Sequence, residues 1–307
     1  MNIMFMGTPD FALESLKELV NRGYNVTCVV TRSDKQQGRD MKIVMPPVKE
    51  FALEKGMNVY QPESLKNGEL MPVLEAEKPD LIVVVAYGKI LPEYVLEFPK
   101  LGCINLHGSI LPELRGSAPI QWSVINGDEF AGASTMFMDV GLDTGDVIDV
   151  YKTPVGEEET AGELYDRIAA EGAKLLAETV KKVFDGTATR TKQDDNKATY
   201  APMLTKAMGR IDFDRTAREI YNQIRGLNPW PVAYVETNKG TMKVYSATVL
   251  DEDSVGTPGE ILEKKKALII QTGKGRIELK EVQLQGKKRM NSEDFLRGNK
   301  FEKGQSL

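Results

Sequence analysis

The stretch Leu81-Ile82-Val83-Val84-Val85-Ala86-Tyr87 holds no charged residue. Such a run has no polar face, so it makes a stable strand only where both faces are covered, as in a parallel sheet. It is far shorter than the roughly 18 apolar residues of a membrane span. The chain opens in a related way. Residues 2–7 (NIMFMG) are apolar and end in Gly7-Thr8-Pro9-Asp10. Phe11, Leu13, Leu16, Leu19 and Val20 then recur at helical spacing, and a second apolar run covers 26–31. This reads as strand, helix, strand. Further strands are expected at 57–60, 102–106, 134–140 and 147–152, with helical patterns between several of them. The pattern predicts a doubly wound α/β domain of Rossmann-like type over 1–188. It does not predict a dinucleotide site. The first turn lacks the GxGxxG spacing, and Pro9 removes a backbone N–H that a pyrophosphate cradle would use.

An amphipathic helix is expected over 160–184, with Leu164, Ile168, Leu175, Leu176, Val180 and Val183 on one face. The polar stretch 189–208 reads as a linker. Beyond it, 214–226 reads as a helix, broken by Pro229 and Pro231. Strands follow at 232–236, 242–250, 267–271 and 276–282, separated by turns that carry glycine. The third part, 209–307, is therefore expected to be a small, mostly β domain, a Greek-key barrel.

Net charge divides the chain. The whole carries −5, of which residues 1–206 hold −9 and residues 207–307 hold +4. The basic back half is the candidate for a polyanion contact, against the plainer reading of an unevenly charged surface. Two cysteines, Cys28 and Cys103, build neither a disulfide framework nor a zinc quartet, and a single histidine, His107, excludes a multi-histidine metal site. The N-terminus has no basic leader and Asp10 interrupts its apolar start. A cytoplasmic protein is expected, with no membrane span.

The densest chemistry lies in 104–116, Ile-Asn-Leu-His-Gly-Ser-Ile-Leu-Pro-Glu-Leu-Arg-Gly. It stands at the end of a predicted central strand, where open α/β sheets bind ligands. Asn105 and His107 are two apart and share one face of that strand. An amide donor beside an imidazole suits acyl transfer: the imidazole moves protons and the amide stabilises an oxyanion. A second loop, 139–146, carries Asp139, Asp143 and Asp146 after another strand. A carboxylate there can orient the histidine, but spacing does not choose among the three, and a plain turn explains the same residues.

Taken together, Asn-x-His-Gly-Ser-Ile-Leu-Pro-x-x-Arg-Gly and the later Gly-x-Asp-Thr-Gly resemble the 10-formyltetrahydrofolate-dependent formyltransferases. MGTPDFA, GRDMKIVMPPVK, VVAYGKILP, SAPIQWSVINGD and GLNPWPVAY extend the resemblance over nearly the whole chain. The resemblance implies a Rossmann-like catalytic domain with an OB-like β-barrel behind it. It implies Asn105, His107 and Asp143 as the catalytic trio. Ser109, Ile110, Leu111 and Pro112 match the folate-contacting segment, and Tyr87, Gly88 and Ile90 are candidates to wall the pterin pocket. It implies 10-formyltetrahydrofolate as co-substrate without a metal, and an initiator methionyl-tRNA as acceptor, met by Arg39 and Lys42 on the polar 32–42 loop. A monomer is expected. Formylation of a sugar-nucleotide amine would use the same trio, but would not need a basic C-terminal domain.

Overall fold

The computed structural model describes residues 1–37, 42–251, 253, 255–263, 267–299 and 304. In chain order its first elements are β1 (Ile3–Gly7), α1 (Asp10–Asn21), β2 (Val26–Val30), β3 (Lys35–Gln37), β4 (Lys42–Val44), α2 (Pro47–Glu54), β5 (Asn58–Tyr60), α3 (Met71–Glu77) and β6 (Leu81–Val85). Then come α4 (Glu93–Leu96), β7 (Cys103–His107), β8 (Arg115–Gly116), α5 (Pro119–Asn126), β9 (Phe130–Phe137), β10 (Val147–Pro154), α6 (Ala161–Phe184) and β11 (Tyr200–Ala201). The last are α7 (Ala217–Gly226), β12 (Ala233–Thr237), β13 (Gly240–Asp251), β14 (Ile261–Glu263), β15 (Leu268–Gln271), β16 (Arg276–Leu284), β17 (Met290–Asn291) and α8 (Ser292–Gly298). None of the described helices is long and apolar enough to cross a membrane.

Two compact units emerge, each assembled from three stretches of chain. The first combines Met1–Pro119, Ala131–Thr153 and Tyr165–Ala201; the second combines Ile120–Phe130, Pro154–Leu164 and Pro202–Leu307.

The first unit is built on a seven-stranded sheet of order β10-β9-β7-β6-β1-β2-β5. The pairs β5–β2, β2–β1, β1–β6 and β6–β7 are parallel, and β9 joins β7 antiparallel. From β1 the chain winds outward through β2 and β5, then crosses back to β6 on the other side. That reversal is where such sheets open a crevice at their carboxyl ends. Every residue of β1 and of β6 is buried, as a strand covered on both faces requires. Met4, Met6, Ile82 and Val84 share one apolar cluster with Cys28, Val30, Leu74 and Cys103. The apolar runs thus mark the strands as expected. The largest displacement is in β9, expected over 134–140: it runs from Phe130 to Phe137, because Ala131, Gly132 and Ala133 give little hydrophobic signal yet are buried. Gly132 is required there, since a Cβ would sit 1.9 Å from the Tyr151 carbonyl oxygen.

Part of the stretch 189–208 is paired. Thr191 bridges Val147, residues 195–197 form one 3₁₀ turn, and β11 pairs parallel with β8.

The second unit carries the antiparallel sheet β12-β13-β16-β15-β14, with β17 on β16. Among the described residues its ends, β12 and β14, do not pair with each other, so the barrel is a half-barrel. Its core joins Val235, Met242, Val244, Ile270, Ile277 and Leu279 to Ile220 and Ile224 of α7. Helix α7 starts at Ala217, not 214, because Thr216 is its N-cap: the Thr216 hydroxyl accepts from the Glu219 N–H, and Glu219 answers with a capping box.

Candidate active site

Strand β7 delivers Asn105 and His107 to one face and Leu106 to the other. Leu106 packs toward Gly172 of α6, which leaves the two polar side chains on the opposite side. His107 is only 6% exposed. Its Nε2 lies 2.9 Å from the Leu114 carbonyl oxygen. A carbonyl can only accept, so Nε2 carries the proton of the neutral ring and Nδ1 is left as an acceptor. That Nδ1 lies 3.7 Å from Asp143 Oδ2. The gap exceeds a direct hydrogen bond. It suits a group with two N–H or O–H hydrogens that bonds both acceptors at once. Asn105 is half-buried, and its amide makes no hydrogen bond among the described residues.

The three carboxylates of the 139–146 loop separate clearly. Asp139 Oδ1 accepts from the Gly141 N–H at 3.0 Å and the Thr144 hydroxyl at 2.6 Å, so it shapes the loop itself. Asp146 faces Arg190 at 3.7 Å. Asp143 alone of the three is paired with His107, and its Oδ2 also accepts the Gly116 N–H at 2.8 Å. Its φ of +55° lies in the left-handed region, as does that of Leu114 at +56°. Two non-glycine residues in that region therefore flank the imidazole. Such backbone persists only where its surroundings hold it, and it concentrates at functional sites. Gly145 follows because a Cβ would meet the Phe137 carbonyl oxygen at 1.7 Å.

The 109–112 turn is fastened by Ser134, which the sequence reading did not single out. The Ser134 hydroxyl donates to the Ser109 carbonyl at 2.7 Å and accepts the Leu111 N–H at 3.0 Å. Ser109 Oγ donates to the Glu113 carbonyl at 2.6 Å. Leu111 is buried, while Ile110 and Pro112 are part-exposed.

Tyr87 stands apart from the other expected pocket residues. It is 1% exposed, inside the apolar cluster of Met4 and Ile82, and burial pushes its hydroxyl up to about 12. Its ring gives a ligand no surface; its carbonyl accepts from Thr8 Oγ1 at 3.2 Å and so ties the ends of β1 and β6 together. Gly88 has φ +83°, and a Cβ there would come 3.2 Å from Arg32 Nη1. Ile90 is 79% exposed. Lys42 opens β4, which pairs antiparallel with β3. Arg39 lies outside the described residues, as do Lys264, Lys265 and Lys266. Of the three consecutive basic residues 287–289, Lys287 and Lys288 are exposed, whereas Arg289 pairs with Glu281 and covers the Tyr245 ring at 4.1 Å.

Comparison with known proteins gives the chemical class. Residues 1–180 match the formyl transferase family and residues 203–300 match the formyl transferase C-terminal domain. A methionyl-tRNA formyltransferase of Acetivibrio thermocellus is 46% identical, covering 100% of this chain and 99% of its own. One of Clostridium novyi is 48% identical, over 98% of each. Among solved structures, an N-formyltransferase from Helicobacter canadensis in complex with folinic acid and dTDP-3-aminofucose superposes with a TM-score of 0.69 at 20% identity, over 90% of this chain and 98% of that one. HypX from Aquifex aeolicus in complex with tetrahydrofolic acid gives 0.61 at 17%, over 96% and 46%. At these identities the structures speak for the fold alone. The full-length relatives and both domain matches agree: the chain belongs to the formyl transferase family.

Proposed function

We propose that the protein transfers the formyl group of 10-formyltetrahydrofolate to the α-amino group of methionine carried on initiator tRNA, at a site made by Asn105, His107 and Asp143. Full-length identity to methionyl-tRNA formyltransferases supports the choice of acceptor. One geometric observation carries the choice of residues: Nδ1 of His107 and Oδ2 of Asp143 form two acceptors 3.7 Å apart, and the Asn105 amide, without a hydrogen bond among the described residues, lies on the same strand face as His107.

That pair fits an amine. A neutral amine offers one N–H to each acceptor, and a free α-amino group has a pKa of about 7.7–8.0, so a working fraction is neutral near pH 7. The amine nitrogen bonds to the formyl carbon and the carbonyl oxygen gains charge. Asn105 donates its amide hydrogen to that oxygen. His107 takes the amine proton at Nδ1, and the Asp143 carboxylate stabilises the resulting imidazolium. As the carbon–N10 bond breaks, His107 returns one proton to N10. One bond forms, one breaks, and one proton moves from amine to N10.

The 109–112 turn, with Ile110 and Pro112 part-exposed beside the strand end, fits the role of folate contact. Gly88 and Ile90 extend that wall, while Tyr87 supports it from the core. Phosphate contacts fall to Lys287 and Lys288 in the second unit, and the acceptor stem to Arg39 and Lys42. On this reading the first unit does the chemistry and the second carries tRNA affinity.

The test is formylation of charged initiator tRNA with 10-formyltetrahydrofolate. His107→Ala and Asn105→Ala should each lower kcat by about 10²-fold or more, with tRNA affinity unchanged. Near-normal kcat in His107→Ala would falsify the assignment.

A further inference from the structure

A buried glutamine joins the two loops that carry Asp143 and the His107 partners. Gln193 is 8% exposed and sits in the polar stretch after α6. Its Nε2 donates to the Asp143 carbonyl at 2.9 Å and to the Gly145 carbonyl at 2.7 Å. Its Oε1 accepts from Arg115 Nε at 3.1 Å and Nη2 at 2.8 Å. An amide has two donor hydrogens and two acceptor lone pairs, and all four are used. Arg115 is 2% exposed and also reaches Asp195 at 2.8 Å. Thr199 fixes the other side of the same turn: its hydroxyl accepts the Leu114 N–H at 2.8 Å and its carbonyl the Arg115 N–H at 2.9 Å. Leu114 in turn supplies the carbonyl that holds His107 Nε2.

Both halves of the His107–Asp143 pair thus depend on the segment 193–199, while the hydrogen bonds of the Gln193 amide go to Arg115 and to the Asp143 and Gly145 carbonyls rather than to the imidazole or the carboxylate. The left-handed backbone of Asp143 needs an outside hold. Gln193 provides one at the Asp143 carbonyl and anchors it to Arg115, one residue before the Gly116 N–H that grips the carboxylate.

We propose that Gln193 is a positioning residue for the formyl transfer, setting the distance between Asp143 and His107 through the Arg115 guanidinium. The proposal rests on the function given above. Displacing a reacting group by about 1 Å costs up to 10²-fold in rate, so a small shift of the Asp143 carboxylate from its 3.7 Å distance to His107 would be felt in kcat.

Gln193→Met keeps the side-chain volume and removes the amide. It should lower kcat about 10- to 100-fold and leave KM for both substrates in place. Combined with Asp143→Asn it should lower kcat no further than Asp143→Asn alone, because the two act through one contact. The ring ¹⁵N resonances of His107, the chain's single histidine, should move in the direction that Asp143→Asn moves them. Multiplying effects, or unmoved resonances, overturn the proposal. If Gln193→Met fails to fold, Gln193→Glu keeps a partner for Arg115 and sets acceptors against the two carbonyls; it should fold, with the same loss of kcat and the same resonance shift, and normal kcat there sinks the idea. The resonance measurement uses no substrate. A wild-type protein without formylating activity therefore refutes the function while leaving the positioning result standing.

Discussion

Asp143 is asked to do two things by its position: adopt a left-handed backbone and present a charge to an imidazole. The two can be separated. Asparagine tolerates φ near +55° better than most residues, and its side-chain oxygen can still accept the Gly116 N–H. Asp143→Asn therefore removes the charge and keeps the loop. Stability should change by less than about 1 kcal/mol, while kcat should fall by roughly 10²-fold, the scale of lost acid–base assistance. An unfolding curve beside a turnover measurement separates the two effects; a large stability loss with normal kcat would make Asp143 a loop fastener. At this scale the sequence was partly legible. Asn105 and His107 stood out because period-2 spacing places side chains on one face. Spacing did not choose Asp143 over Asp139 and Asp146, since that depends on which carboxylate the turn aims inward; the choice came only from the Gly-x-Asp-Thr-Gly resemblance. Gln193 gave no sign at all, because a glutamine among Thr, Lys and Asp residues has no periodicity to betray its burial.

Helix α7 shows how a local signal sets an element. Thr216 and Glu219 close a capping box, with the Glu219 carboxylate accepting the Thr216 N–H at 2.9 Å and its hydroxyl at 2.8 Å. Those bonds, the backbone N–H first, hold the Glu219 carboxyl below its usual range. Thr216→Ala should cost about 1 kcal/mol, within a range of 0.5–2, read from urea denaturation near pH 7. A carboxyl depressed in the folded state stabilises above its unfolded pKa of about 4.3 and loses that contribution as pH falls through the folded value. The difference between wild type and Thr216→Ala should therefore shrink below about pH 4, and an equal difference at pH 7 and pH 3 would rule the cap–carboxylate link out. The T-x-x-E signature was present in the sequence; the expected start at 214 came from reading the polar residues before it as part of the helix. Strand β14 escaped notice because three residues after Pro258-Gly259 are too few to show alternation.

At the scale of the whole molecule, three groups that titrate in alkali, Cys28, Cys103 and Tyr87, are buried, and Tyr165 is half-buried. Burial pushes the Cys28 and Cys103 thiols up to about 12, and Tyr87 and Tyr165 likewise. The folded protein keeps these protons where the unfolded chain, with thiols near 8.5 and phenols near 10, has released them. Their contribution to stability is complete below about pH 8.5 and is lost as pH rises toward about 12. Denaturation midpoints should fall steadily over that window. At pH 8 a thiol reagent should find neither cysteine until denaturant is added, and then both; rapid labelling of the native protein would contradict the burial. The two-part plan of sheet and half-barrel was legible from the apolar runs and the turns. The interleaving of the second unit was not, because 120–130 and 154–164 look like ordinary connections in a continuous α/β pattern. Inside that unit α5 lies so close to α7 that a Cβ on Gly226 would stand 2.5 Å from Ile125, and Arg225 donates to the Gly156 carbonyl at 3.1 Å. On the ribosome these neighbours are made far apart in time. With synthesis at about 5–20 residues per second, Ile125 waits roughly 5–20 s for Gly226 to emerge. During that interval the nascent chain carries an apolar helix face with its covering element still unmade.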